Sequence, residues 1–263
     1  MMAVAADEAI ATRALSMDQA KFHPPYGAGC AVVCSSCNLR EICLPVGMNK
    51  AELDQVDRLL VAHRRRVQQG DSLYRPGEAF DAVYAVRAGF FKTVRLAGDG
   101  REQVTGFHMS GELLGLDGIG SGQHEAQAVA LEDSQVCVVP FAGLERLSLA
   151  LPSLQQELHR VMSREIVHKE DVMLLLGTRH AEARVSAFLL NLTHRLQARG
   201  FSPSSLVLRM TRQEIGSYLG LTLETVSRTF SKFQAAGLLH VRSRHIRITD
   251  AVGLHELLEG VEP

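Results

Sequence analysis

A chain of 263 residues with 46% apolar residues is long enough for one large domain or two small ones, and rich enough to bury a core. It has no run of eighteen apolar residues that would suggest a membrane span, and its start, MMAVAADEAI, lacks the basic-then-apolar pattern of a secretory leader, so the expected location is the cytoplasm. The formal net charge of −1 hides an asymmetry: residues 1–178 carry 17 Lys and Arg against 22 Asp and Glu, whereas residues 179–263 carry 11 against 7, a basic end suited to phosphates behind an acidic body.

Residues 1–51 read as an irregular segment around HPPYGAG, and they hold an unusual concentration of thiols. Cys30, Cys34, Cys37 and Cys43 fall within fourteen residues, and the fifth cysteine, Cys137, lies far downstream. In a reducing compartment such a group binds metal or does redox chemistry more often than it forms structural disulfides. The C-x2-C-x5-C spacing of Cys34, Cys37 and Cys43 lets three thiolates converge on one inorganic centre. Cys137, in the strand-like SQVCVVP, is the natural fourth ligand, although a lone strand cysteine is commonly a small buried hydrophobe. The residues alone leave zinc, iron–sulfur and a redox disulfide open.

From residue 52 to 150, short apolar stretches alternate with Gly-rich turns, as in YAVRAGFFKTVRLAGDGREQ. Strands such as Val83–Val86 and Phe90–Leu96, bounded by Gly89, Gly98 and Gly100, predict an antiparallel sheet or barrel. A long helix follows over 151–178, with Pro152 in its first turn and no further Gly or Pro before Gly177. Leu154, Leu158, Val161, Glu165, His168, Val172 and Leu175 recur at spacings of four and three along it. That stripe is either the face of a core helix packed on the barrel or a coiled-coil dimer seam kept marginal by Glu165 and His168.

Residues 179–263 close the chain with a second helical stretch and then MTRQEIGSYLGLTLETVSRTFSKFQAAGLL. Thr211 and Glu214 form a T-x-x-E capping box, Gly220 suits a helix end, and Thr222 can cap the next helix. Val226, Phe230 and Phe233 form a buried stripe, and Gly216 lets the two helices approach, so the stretch predicts a helix-turn-helix. Glu224, Ser227 and Arg228 project together near the start of the second helix, where a recognition helix meets base edges; Arg can donate twice to guanine and Glu can accept from cytosine. Thr211, Arg212, Thr222 and Thr225 are assigned to the same DNA-contacting set. HVRSRHIRITD reads as a wing whose Arg242, Arg244 and Arg247 can meet phosphates.

The segments GCAVVCSSCNLREIC, EQVTGFHMSGELLG, IGSGQHE, LLLGTRHAEARVSAFLLNL, ARGFSPSS and MTRQEIGSYLGLTLETVSR carry a resemblance, over nearly the whole chain, to the oxygen-sensing Fnr branch of the Crp–Fnr superfamily of transcription regulators. The resemblance implies an α+β fold: a cyclic-nucleotide-binding-like antiparallel β-roll or barrel, a long dimerisation helix and a C-terminal winged helix-turn-helix. It implies one oxygen-labile [4Fe–4S] cluster per subunit on Cys34, Cys37, Cys43 and Cys137, which oxygen converts to [2Fe–2S]; Cys30 matches a cysteine that is not a ligand. It further implies a homodimer on double-stranded DNA at a site like TTGAT-N4-ATCAA, a switch residue at Asp171 on the dimer helix, and RNA polymerase contacts, for which the Ala97–Gln103 turn is a candidate. No cyclic nucleotide is expected, because HEAQAV places Glu125 and Ala126 where the nucleotide-binding branch has an Arg–Ser pair. Asn38 and Ile42 depart from the usual neighbours of the cluster ligands. The rival reading is a DNA-binding regulator that senses oxidants by thiol–disulfide chemistry without iron. An enzyme is not expected: the eleven histidines show no H-x-x-x-H or H-E-x-x-H spacing, and there is no Walker loop.

Overall fold

The computed structural model describes residues 34–61, 63–96, 98, 100–178 and 180–259, so Cys30 and two residues of the 97–103 turn lie outside the described residues. The elements run α1 (Arg40–Cys43), α2 (Lys50–Leu59), β1 (His63–Val67), β2 (Ser72–Tyr74), β3 (Ala82–Ala88), β4 (Phe90–Leu96), β5 (Glu102–Met109), β6 (Leu113–Leu114), β7 (Gln127–Ala130) and β8 (Ser134–Pro140). They continue with α3 (Phe141–Ala150), α4 (Pro152–Thr178), α5 (Ala181–Gln197), β9 (Ser205–Val207), α6 (Arg212–Leu219), α7 (Leu223–Ala235), β10 (Leu239–Arg242), β11 (His245–Ile248) and α8 (Ala251–Glu259). No helix among the described residues is long and apolar enough to cross a membrane.

The β-rich half is a roll of two four-stranded antiparallel sheets, ordered β1-β8-β3-β6 and β2-β7-β4-β5. Alternation along the strands makes the core, because successive side chains leave a strand on opposite faces. In β7, Ala128 and Ala130 are buried while Gln127 and Val129 are half-buried. Val67, Val86 and Val136 of the first sheet share one core with Leu73, Phe91 and Ala130 of the second. A separate core under α2 and α3 joins Met48, Val56, Leu60, Val139 and Leu144 to Leu154 at the start of α4.

The C-terminal half assembles α5 to α8 around a small sheet of order β10-β11-β9. Its local chemistry follows the sequence closely. Glu214 N–H donates to Thr211 Oγ1 at 3.2 Å and Thr211 N–H donates to Glu214 Oε2 at 2.7 Å, a reciprocal cap that starts α6. Gly220 ends α6 at φ 62°, and Thr222 Oγ1 accepts from Thr225 N–H at 3.1 Å to start α7. A Cβ on Gly216 would meet the Leu221 carbonyl oxygen at 2.6 Å, so only glycine admits this turn between the helices. Val226, Phe230 and Phe233 are buried in a core that continues into Val94, Val104 and Phe107 of the roll.

Candidate metal centre and nucleic-acid interface

The cysteine segment is wound into consecutive tight turns. Cys37 N–H donates to the Cys34 carbonyl at 3.1 Å, Arg40 N–H to the Cys37 carbonyl at 3.0 Å, and Cys43 N–H to the Leu39 carbonyl at 2.9 Å. Asp57 of α2 anchors the start of the segment by accepting from Cys34 N–H at 2.6 Å, Ser35 N–H at 3.0 Å and Ser35 Oγ at 2.5 Å. Cys137 stands on β8, opposite Arg64 of β1 and Ala85 of β3. Cys34, Cys37, Cys43 and Cys137 all line one largely apolar cavity of about 90 Å³, walled on one side by Leu154, Leu158 and Val161 of α4.

The electrostatics of this cavity are those of neutral thiols beside cations. Burial, reinforced by the neighbouring cysteines, pushes the thiols of Cys34 and Cys43 up to about 12. Burial also raises Cys137, against the pull of Arg64, which hydrogen-bonds to it. Arg87 Nη1 donates to Cys37 Sγ at 3.4 Å. All four thiols are free and half-buried. The raised thiols of Cys34, Cys43 and Cys137 are poor nucleophiles until something displaces the proton; redox-sensing cysteines carry lowered values instead. Among the described residues, no three His, Cys, Asp or Glu are grouped closely enough to hold a metal ion.

A second cavity, of about 470 Å³, lies between the second sheet and α4 and includes Arg95, Asp117, Glu125 and Lys169. Asp117 Oδ2 accepts from Glu125 N–H at 2.8 Å and Ala126 N–H at 2.9 Å. Arg95 pairs with Glu125 at 2.7 Å. Backbone amides and a guanidinium that could cradle a phosphate are thus engaged by carboxylates of the same chain, and an entering phosphate would face two negative charges.

On α7, Glu224, Ser227 and Arg228 are exposed together, and Thr225 is half-buried beside the cap Thr222. The Glu224 carboxyl is held below its usual range by a hydrogen bond from its own backbone N–H and by Thr222. Thr211 is occupied by its capping box. Arg212, grouped with the DNA contacts from sequence, turns inward: its Cζ lies 3.3 Å from the centroid of the Phe230 ring. Burial pulls that guanidinium down to about 10. Arg242, Arg244 and Arg247 are exposed around the β10–β11 turn.

The stripe read along α4 faces its own chain. Leu154 is buried, and Leu158 packs beside it on the α2–α3 core. Val161 walls the cysteine cavity, and Glu165, its carboxyl raised by burial, lines the second cavity. His168 Nε2 meets the Tyr218 hydroxyl at 3.3 Å, and Val172 and Leu175 pack on the C-terminal core. The outward apolar row stands one column over: Met162 (37% exposed), Ile166 (58%) and Met173 (67%), with Val167 and Leu174 beside it. Asp171 is exposed between Val167 and Leu174. The described part of the 97–103 turn rests on α6, where Gln103 Nε2 donates to the Ser217 carbonyl and Val104 N–H donates to Ser217 Oγ at 2.9 Å.

Arg64, Arg87 and Asp57 lie outside the cysteine segment, and no local signal in the sequence links any of them to a cysteine.

The cyclic nucleotide-binding domain family matches residues 64–150, and the Crp-like helix-turn-helix domain family matches residues 183–257. The chain is 48% identical to the transcriptional regulatory protein Btr of Bordetella pertussis, over 87% of this chain and 94% of that protein. It is 43% identical to the fumarate and nitrate reduction regulatory protein of Escherichia coli, over 87% of this chain and 91% of that one. Among solved structures it is similar to FixK2 of Bradyrhizobium japonicum, with a TM-score of 0.70 and 35% identity, covering 75% of this chain and 98% of the other.

Proposed function

The chain belongs to the Crp–Fnr family of DNA-binding transcription regulators, and from that premise we propose that it reads oxygen, through one [4Fe–4S] cluster per subunit on Cys34, Cys37, Cys43 and Cys137. The observation that carries this reading is the single apolar cavity that all four cysteines line, with α4 as its wall. The donor set fits the group. One tetrahedral ion would need its sulfurs about 3.8 Å apart, given bonds of about 2.3 Å. A cluster gives each sulfur its own iron, so its four thiolates stand farther apart than around one ion, and the four cysteines here line one cavity from both the segment and strand sides. When bound, the cluster supplies an oxygen-labile tie among the four sulfurs and a net charge of about −2.

The chain's own residues do the rest. Arg64 and Arg87 offset the charge at Cys137 and Cys37. Asp57 holds the segment at its start. Leu154, Leu158 and Val161 pass the packing of the cavity to the first turns of α4. The outward row of Met162, Ile166 and Met173 then meets the same row of a second copy, because an apolar row on a long helix is stable when paired with its twin. Two recognition helices set one helical turn apart read a palindrome like TTGAT-N4-ATCAA. A monomer keeps half the contacts and releases it.

Thiol–disulfide sensing without iron is the weaker reading, since it needs low-pKa thiolates and the buried thiols of Cys34 and Cys43 lie up near 12. The test is an anaerobic absorption spectrum with iron and sulfide analysis, followed through air exposure while molecular mass and operator binding are recorded. Visible absorbance lost in step with the dimer and with operator binding is expected. A colourless protein that binds its operator equally in air and under argon defeats the reading.

A further inference from the structure

The cysteine segment meets one turn of the roll directly at Ile42 and, through Arg87 of the neighbouring strand β3, at Cys37. Ile42, which precedes Cys43, sits on Gly111: a Cβ there would lie 2.6 Å from Ile42 Cγ2, and Gly111 has φ +87°. Arg87, whose guanidinium donates to Cys37, follows Val86, and Val86 exchanges backbone hydrogen bonds with this turn, Gly111 N–H to the Val86 carbonyl at 2.7 Å and Val86 N–H to the Glu112 carbonyl at 2.9 Å. The far side of the turn grips the C-terminal half. Glu112 pairs with Arg195 at 2.5 Å and with Arg199 at 2.7 Å, Arg195 Nη2 donates to the Phe107 carbonyl at 2.6 Å, and Arg199 Nε donates to the Ser110 carbonyl. These three side chains are at most one-fifth exposed, so the pairing is screened little by solvent. Arg195 lies in the last turn of α5, which packs beneath α7.

We infer that Glu112 is the residue through which the cysteine segment positions the DNA-reading half of its own subunit, along a path separate from α4. The chain of contact is short: Ile42 on Gly111 and Arg87 on Cys37 set the height of the turn, and Glu112 transmits it to two guanidiniums at the end of α5. The inference rests on the proposed cysteine centre and assigns it a second output. Pairing through α4 governs how many reading heads are present. The Glu112 clamp governs how each is aimed.

The experiment compares anaerobic wild type with Glu112→Gln, before and after air, for iron content, molecular mass, operator affinity and amide hydrogen exchange across residues 181–197. In the wild type, air should speed exchange in that span. Glu112→Gln should keep its iron and its dimer, show fast exchange there from the outset with no response to air, and bind the operator about tenfold more weakly when loaded. Should the variant not fold, Arg195→Gln leaves the Glu112–Arg199 pair in place and should give the same pattern in weaker form. Iron and dimer retained together with a wild-type exchange response, and affinity within about twofold of wild type, overturn the inference. Absence of iron from the anaerobic wild type overturns the cysteine centre, and the relay with it.

Discussion

Arg87 Nη1 lies 3.4 Å from Cys37 Sγ, two residues separated by fifty positions in the chain and joined by the fold of the roll. Cys34, Cys43 and Cys137 sit where burial favours the neutral thiol, and the guanidinium is a fixed donor in their midst. A charge-assisted hydrogen bond to sulfur is worth roughly 1.5–3 kcal/mol. Arg87→Gln should therefore still take up iron under argon but lose its visible absorbance in air about tenfold faster than wild type. An unchanged decay rate at equal iron content would remove Arg87 from the centre.

Cys137 closes the cavity from the strand side, and in the proposed ligand set it is the one distant in sequence from the other three. Cys137→Ala and Cys37→Ala should each give a colourless and largely monomeric protein in anaerobic preparations. A brown, dimeric Cys137→Ala would show that the strand cysteine is only a small buried side chain.

Much of the C-terminal half was legible because its signals are local. The Thr211–Glu214 box, Gly220 and the Thr222 cap each act within four residues, and each forms as the spacing implied. The strands of the roll were visible in their alternation and Gly-bounded ends. Contacts across the chain were not. Nothing near Arg87 marks it as a partner of Cys37, and nothing near Glu112 marks Arg195 and Arg199. The α4 stripe shows a different limit: a 4-3 spacing says that one face is buried but not against what. In this chain it lies against the roll and the C-terminal core, and the outward row of Met162, Ile166 and Met173 was hidden because Lys169 interrupts its period. Arg212 could be placed on a helix but not on a face, and the ring of Phe230 claims it.

The two faces of α4 should respond differently to substitution. Leu154 is 5% exposed within the chain's own core, so Leu154→Ala should cost about 2–5 kcal/mol of unfolding free energy. Ile166 is 58% exposed, so Ile166→Glu should leave the stability of the monomer nearly unchanged but abolish the anaerobic dimer in sedimentation while iron content is kept. Asp171 is exposed beside the same row, and on the proposed pairing its carboxylate would meet like charge on the second copy, so Asp171→Ala should hold a larger dimer fraction in air. Loss of the dimer in Leu154→Ala at unchanged fold stability, with Ile166→Glu still dimeric, would reverse the assignment of the faces.

His108 gives the roll an acid-sensitive point. It is buried, with Nε2 3.3 Å from Thr93 Oγ1, and burial pulls it down to about 3; Glu112 opposes that shift, while Lys169, Arg195 and His168 add to it. The unfolded chain binds a proton there below about 6.5, and the folded chain does not until about 3. Stability is therefore full above 6.5 and falls as pH drops through that window, by on the order of 3 kcal/mol between pH 7 and pH 4. Urea unfolding midpoints measured across that range should fall in the wild type and fall less in His108→Gln, which keeps a hydrogen-bonding group for Thr93. Equal slopes would show that other groups carry the acid response.

Glu224 is the outward acid at the start of α7, exposed beside Ser227 and Arg228. It holds its charge well, since its own backbone N–H and Thr222 favour the ionised form. A carboxylate at that point of a recognition helix can accept from the exocyclic amino group of cytosine, a donor that guanine and thymine lack in the major groove. Removing it leaves the exposed Arg242, Arg244 and Arg247 in place to meet phosphates, so overall affinity should persist while one position of the half-site loses its preference. Glu224→Ala should therefore lower the discrimination at one base pair by about 1–3 kcal/mol, read as a flattened single column in a binding-site selection. A selected site identical to that of the wild type would falsify the assignment. Weakening that is uniform at every position would instead make Glu224 a residue that orients the helix.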